Sequence, residues 1–294
     1  MATWPIPEIG PLAPSWAKFN RAVVHLQALN NELHRFDGNK AESHRLVSEI
    51  DEETSTHYIR IQILRPFPTL WSLIAGDMIQ NFRASLDYMV WALVVANKRK
   101  PTRRTQFPIY NVEPPTDPAN RSRRNFEACV KGVHPDARRI IEMTQPYRRE
   151  DGPGAHLFSA LNSLSNQDKH RFVVPSFGAV AMPKDGETFF DVDRERSRNI
   201  GSVYGTQLHI GKPLNDGDKV TTSRVEITGP DPHVEIKGQV KLDVGFGDGP
   251  IVPFEEFVKL GEAVETTLGT VEYDFFRFYR DQVDASASTE MGQV

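Results

Sequence analysis

Just after Phe172 the spacing of apolar residues along this chain changes from about 3.6 residues to 2. A mainly helical part followed by an antiparallel β-rich region predicts an α+β chain and not alternating βαβ units. Upstream of the switch, Trp16, Phe19, Val23, Leu26, Leu29 and Leu33 recur at helical spacing. They predict an amphipathic helix from Ser15, read as its N-cap, to about Phe36. The acidic stretch Glu49–Glu53 reads as a solvated loop or helix face. Ile59, Ile61 and Ile63 alternate with Tyr58, Arg60 and Gln62, which predicts a half-buried strand over His57–Leu64.

A long proline-free helix is expected from about Leu70 to Ala96. Shorter helices are expected around Arg124–Val130, from Pro135, where proline suits a first turn, and over His156–Leu164. Downstream, strands are expected near Phe177–Ala181, Thr188–Val192, Val203–Ile210, Lys219–Ile227 and His233–Val244, separated by Gly and Asp turns. A last amphipathic helix should run from Pro253 to Arg280, with Phe257, Leu260, Val264 and Leu268 on its apolar face. The expected organisation is an extended arm over 1–14, a mainly helical domain over 15–172 and an antiparallel β-rich region over 173–252. A C-terminal helix over 253–282 packs back, and a disordered tail covers 283–294.

Composition sets outer limits. With 39% hydrophobic and 25% charged residues in 294, the chain can bury a real core. The net charge of -4 forces neither a nucleic-acid nor a membrane partner on the whole chain. Cys129 is the only cysteine, which excludes an intrachain disulfide and a cysteine-based zinc site. The sequence begins Met-Ala-Thr-Trp-Pro-Ile-Pro, without a basic start or long apolar stretch, and no segment approaches ~18 uninterrupted apolar residues. A cytoplasmic location is the expectation, with no cofactor and no metal.

Two clusters carry candidate chemistry. On the wheel of the long helix, Ile74, Met78, Phe82, Leu86, Met89 and Leu93 share an apolar face. Asp77, Gln80, Asn81, Arg83, Asp87 and Tyr88 share the opposite arc, together with Ala84 and Trp91. An arc that mixes these types, without lysine or glutamate, reads as a face packed against something. Arg83 and Asp87 are four apart and can pair. They form either a buried network that fixes helix register or a pocket lined by Arg83, Asp87, Asn81 and Tyr88. The second cluster is Asp168-Lys169-His170-Arg171. Asp168 can cap a helix opening with Lys169, whose N-terminus would attract an anion such as phosphate; a surface turn with solvated charges is the other reading. His170 is the one group there that can move a proton near neutral pH.

Other motifs are less informative. Gly245-Phe246-Gly247-Asp248-Gly249 is followed by Pro250 and reads as a turn, Glu235 and Lys237 as a solvent-facing strand pair, and Asp191-Val192-Asp193 as a strand end. The basic stretch Lys98–Arg104, with Arg121, Arg123 and Arg124, is either a phosphate-contacting surface or a solvated loop.

Four segments together resemble a group of uncharacterised, largely actinobacterial proteins. They are Asn81–Tyr88, Phe107-Pro108-Ile109, Gln145-Pro146-Tyr147 and Asn166–Arg171. The helix motif is in turn similar to the Arg-x4-6-His signature of HEPN-type helical proteins, many of them ribonucleases. That resemblance implies an N-terminal HEPN-like helical bundle and RNA binding or cleavage. Arg83 matches the arginine; Tyr88 stands where the histidine would be, and tyrosine, with a pKa of ~10, is a poor base. On this reading Arg83 and His170 are the catalytic pair, while Asn81, Asp87, Tyr88, Lys169 and Arg171 bind substrate. Expected partners are RNA or another phosphate-bearing ligand and a second copy in a homodimer, not a membrane. The alternative is a non-enzymatic binding or scaffold protein with a structural Arg83–Asp87 network; a metal-dependent hydrolase is a third reading.

Overall fold

A computed structural model of the chain describes residues 10–37, 43–148, 157–179, 191–209, 212–237, 242–248 and 251–277. It is α+β. The described residues of 10–28, 74–171 and 255–277 belong to one compact unit, and those of 29–73 and 172–254 to a second. The arm up to residue 9, the start of the expected His156 helix and everything after residue 277 lie outside the described residues, as do residues 180–181, 188–190, 210 and 238–241 of the expected strands.

The first unit is helical. Helix α1 (Ala13–Asp37) buries Trp16, Phe19, Ala22 and Leu26, while α2 (Thr69–Ala96) buries Met78, Phe82, Leu86, Met89 and Leu93, the face read from the sequence. The start of α1 differs from expectation. Ser15 is not the N-cap but lies inside the helix, because Ala13 already bonds to the Gly10 carbonyl; its buried hydroxyl has no partner among the described residues. Helix α3 (Arg121–Cys129) is capped by Asn120, whose side chain accepts from the N–H groups of Ser122 and Arg123. Helix α4 (Pro135–Met143) begins on its proline, and α5 covers Leu157–Asp168. Helix α6 (Phe254–Thr270) continues into a wider turn over Val271–Arg277. It packs back on the helical unit: a Cβ on Gly261 would stand 3.3 Å from the Phe82 ring, and Trp16 donates its indole N–H to Glu272 at 2.6 Å.

In the second unit every strand pairing among the described residues is antiparallel. Strands β1 (His44–Asp51) and β2 (Thr56–Ile63) form a hairpin, closed by Asp51 accepting the N–H groups of Glu53 and Thr54. The acidic stretch is therefore part of an edge strand and its turn, not a helix face. The hairpin, which the sequence reading kept within the helical part, joins the later strands β5 (Ile200–Leu208) and β6 (Lys219–Ile227) in the order β1-β2-β6-β5. Strands β3 (Pro175–Ala179), β8 (Leu242–Phe246) and β9 (Val252–Pro253) form a second sheet, and β4 (Asp191–Val192) pairs with β7 (Ile236–Lys237). Among the described residues no helix is long and apolar enough to cross a membrane.

Candidate functional site

Arg83 and Asp87 stand one turn apart on α2, and both hold the same residue. Phe107 donates its main-chain N–H to Asp87 Oδ1 at 2.8 Å, and its carbonyl accepts from Arg83 Nη2 at 2.6 Å. The same Nη2 lies 3.4 Å from Asp87 Oδ1, with the two side chains 12% and 29% exposed. Phe107 is fully buried, its ring edge-on to Phe158, in a segment outside any strand. Main-chain groups there need partners that secondary structure does not supply, and the ion pair supplies them. Burial pushes the Asp87 carboxyl above its ordinary value, while the charge of Arg83, the Phe107 N–H and the charge of Lys169 pull it back. Arg83 Nη1 is buried without a hydrogen-bond partner among the described residues.

The clamp continues along the same segment. Gln145, fully buried, donates to the Pro108 carbonyl at 2.8 Å and accepts the N–H of Tyr110 at 3.1 Å. Gln80 on α2 donates to the Ser165 carbonyl at 3.1 Å and to Asp168 Oδ2 at 3.0 Å. Asp168 also lies against Gly76, where a side chain would overlap its carboxylate. The segments at Phe107 and Asp168 thus meet the α2 segment, and the one at Gln145 holds the Phe107 segment. Sequence reasoning missed Gly76, Gln80, Gln145 and Ser165. Gln80 was visible on the polar arc, whereas Gln145 entered through the Gln145-Pro146-Tyr147 segment of the resemblance.

Of the two readings of the Asp168 cluster, the structure has the exposed turn and not the helix cap. Helix α5 ends at Asp168, so Lys169, His170 and Arg171 follow a helix C-terminus. The partial charge there is negative and suits cations, so it does not draw an anion. All three side chains are exposed. Lys169 is close enough to Asp87 for its charge to act on that carboxyl. His170 donates its main-chain N–H to Gln167, and among the described residues no hydrogen bond links it to Arg83, Asp87 or Tyr88. Asn81 donates to the Asp77 carbonyl at 2.7 Å and accepts from Lys18 at 3.4 Å.

The polar arc of α2 is packed along one edge only. Tyr88 and Trp91 are 45% and 48% exposed, and Val95 beside them is 53% exposed. Cys129 is buried and accepts from Gln106 Nε2 at 3.6 Å; burial pushes its thiol up, against reactivity. Among the described residues no group of three or more His, Cys, Asp or Glu could hold a metal ion. No protein-family model, characterised protein or solved structure matches this chain.

Proposed function

We propose that this chain is a bacterial, cytoplasmic, non-enzymatic binding or scaffold protein in which the Arg83–Asp87 pair is structural. One observation carries the reading: Arg83 Nη2 and Asp87 Oδ1 both hold the main chain of Phe107. An arginine so engaged, and 12% exposed, is poorly placed to take a substrate phosphate. The test is to incubate the purified chain with end-labelled RNA and to measure the stability of Arg83→Ala. The reading expects intact RNA and a destabilised variant; RNA cut by the wild type, with cutting lost in a stably folded Arg83→Ala protein, would overturn it.

A second reading, a HEPN-like helical bundle that binds or cleaves RNA with His170 as proton carrier, keeps one supporting observation. The charge of Lys169 acts on Asp87, so the Asp168–Arg171 segment runs beside the Arg83 helix. That reading requires His170→Ala to abolish cleavage.

A further inference from the structure

The charge of the chain is unevenly distributed. Between residues 97 and 131 there are nine Lys and Arg against three Asp and Glu, in a chain whose net charge is -4. Folding concentrates this segment. Asn97 donates to the Gly132 carbonyl at 2.9 Å, and the Arg99 stem lies against Gly132. Further on, Arg104 donates to Asn125 on α3 at 2.7 Å, and the Gln106 N–H bonds to the Cys129 carbonyl. The loop after α2 is thereby pinned along α3 at both ends. Two of the three acids are already engaged, Glu127 by Arg123 and Arg138, and Glu113 by Arg148. Lys98, Arg99, Lys100, Arg103 and Arg124 are exposed, and none makes an ion pair among the described residues.

Exposed rings lie on the helix that leads into these cations. The Lys98 N–H bonds back to the Val95 carbonyl and the Arg99 N–H to the Val94 carbonyl, folding the basic turn onto the last turn of α2. Trp91 lies seven residues before Lys98, a rise of about 10 Å, and Tyr88 one turn earlier. Both rings are about half exposed and make no ring contact among the described residues. Rings that stack bases beside cations that follow a phosphate backbone are what single-stranded nucleic acid requires. Arginine, which predominates here, presents a fork that matches phosphate.

We propose that Tyr88, Trp91 and the Lys98–Arg104 loop, flanked by Arg124, form a binding surface for single-stranded nucleic acid. The proposal rests on the reading of the chain as a binding protein and names its partner; the surface does not use Arg83 or His170. The aromatic pair takes adjacent bases, and the loop takes the phosphates that follow.

The test is fluorescence anisotropy with labelled 12-nucleotide oligouridylate and oligodeoxythymidylate at 50 and 200 mM salt. Four phosphate contacts on a single strand predict that affinity falls about 50-fold between the two salt concentrations. Lys98→Glu/Lys100→Glu/Arg103→Glu should abolish binding, and the matching triple Gln variant should weaken it and flatten the salt dependence. Trp91→Ala should weaken binding roughly tenfold with the salt dependence intact. Equal affinity for the two oligonucleotides, or preference for either, supports the proposal and tells RNA from DNA. It is overturned if neither oligonucleotide binds at 50 mM salt, if the Glu variant binds as the wild type does, or if only anionic phosphatidylglycerol vesicles bind. It is also overturned if Trp91→Ala merely dissociates a dimer and leaves oligonucleotide affinity unchanged. RNA that is bound here and then cut would overturn the non-enzymatic reading and leave this surface standing.

Discussion

Asp87 accepts the main-chain N–H of Phe107, 20 residues further along the chain, at 2.8 Å, while the arginine one turn before it holds the carbonyl of the same residue. The ion pair thus serves as a substitute strand neighbour for a buried segment. Asp87→Ala leaves the Arg83 guanidinium without its counter-charge and the Phe107 N–H without its acceptor. Breaking a buried pair from one side costs about 3–5 kcal/mol. The lower end, about 3 kcal/mol, is expected here because Asp87 keeps 29% exposure. Urea unfolding measures it, and a midpoint equal to that of the wild type would show that the clamp does not stabilise the fold.

Gly76 leaves the room that Asp168 occupies. A methyl group there would overlap the Asp168 carboxylate, which also accepts from Gln80. Gly76→Ala should therefore destabilise the chain by roughly 1–3 kcal/mol, although alanine is intrinsically the better helix former by about 1 kcal/mol. In an Asp168→Gly background the same substitution should be neutral or stabilising. A double-mutant cycle without coupling would show that the two residues do not meet in solution.

His170→Ala separates the two functional readings. The side chain is exposed and has no hydrogen bond to the Arg83 network among the described residues. Its removal should change stability by less than about 0.5 kcal/mol, and the non-enzymatic reading expects no RNA cleavage to be lost. If the wild type cleaves RNA and the variant does not, the HEPN-like reading stands in its place.

Local patterns were legible where a local cause decides the structure. The apolar face of α2 at Met78, Phe82, Leu86, Met89 and Leu93 followed from spacing, as did antiparallel strands after Phe172, and proline chemistry gave the start of α4 on Pro135. Distant causes were not legible. Ser165 to Asp168 are polar and resemble the start of a loop, yet α5 continues through them because Gln80 bonds to Ser165 and Asp168. Strand β1 was missed because an edge strand can carry acids such as Glu49 and Asp51 at little cost. The wheel put Arg83 and Asp87 on one arc, four residues apart and able to pair, but it could not reveal that their partner is the main chain of Phe107. Nor could it reveal that Tyr88 and Trp91 on the same arc stay exposed.

His57 should make stability depend on pH. The ring is fully buried on β2, with Nε2 2.8 Å from Ser48 Oγ. That hydroxyl donates to the Val234 carbonyl at 2.7 Å, so its proton is committed and Nε2 carries the hydrogen of a neutral ring. Nδ1 is then left without a partner among the described residues, and a proton added there would have no acceptor. Burial, with a smaller contribution from the charge of His233, lowers the pKa from 6.5 to about 4. The unfolded chain, titrating near 6.5, then binds more protons than the folded one, so stability falls as pH drops from about 6.5 to about 4 and is level above that window. Each pKa unit corresponds to 1.36 kcal/mol, so the full loss is about 3 kcal/mol. Urea unfolding of the wild type and His57→Gln at pH 7.5, 6, 5 and 4.5 measures it. The wild type should lose stability more steeply than the variant, and parallel curves would show that the titrating group is not His57.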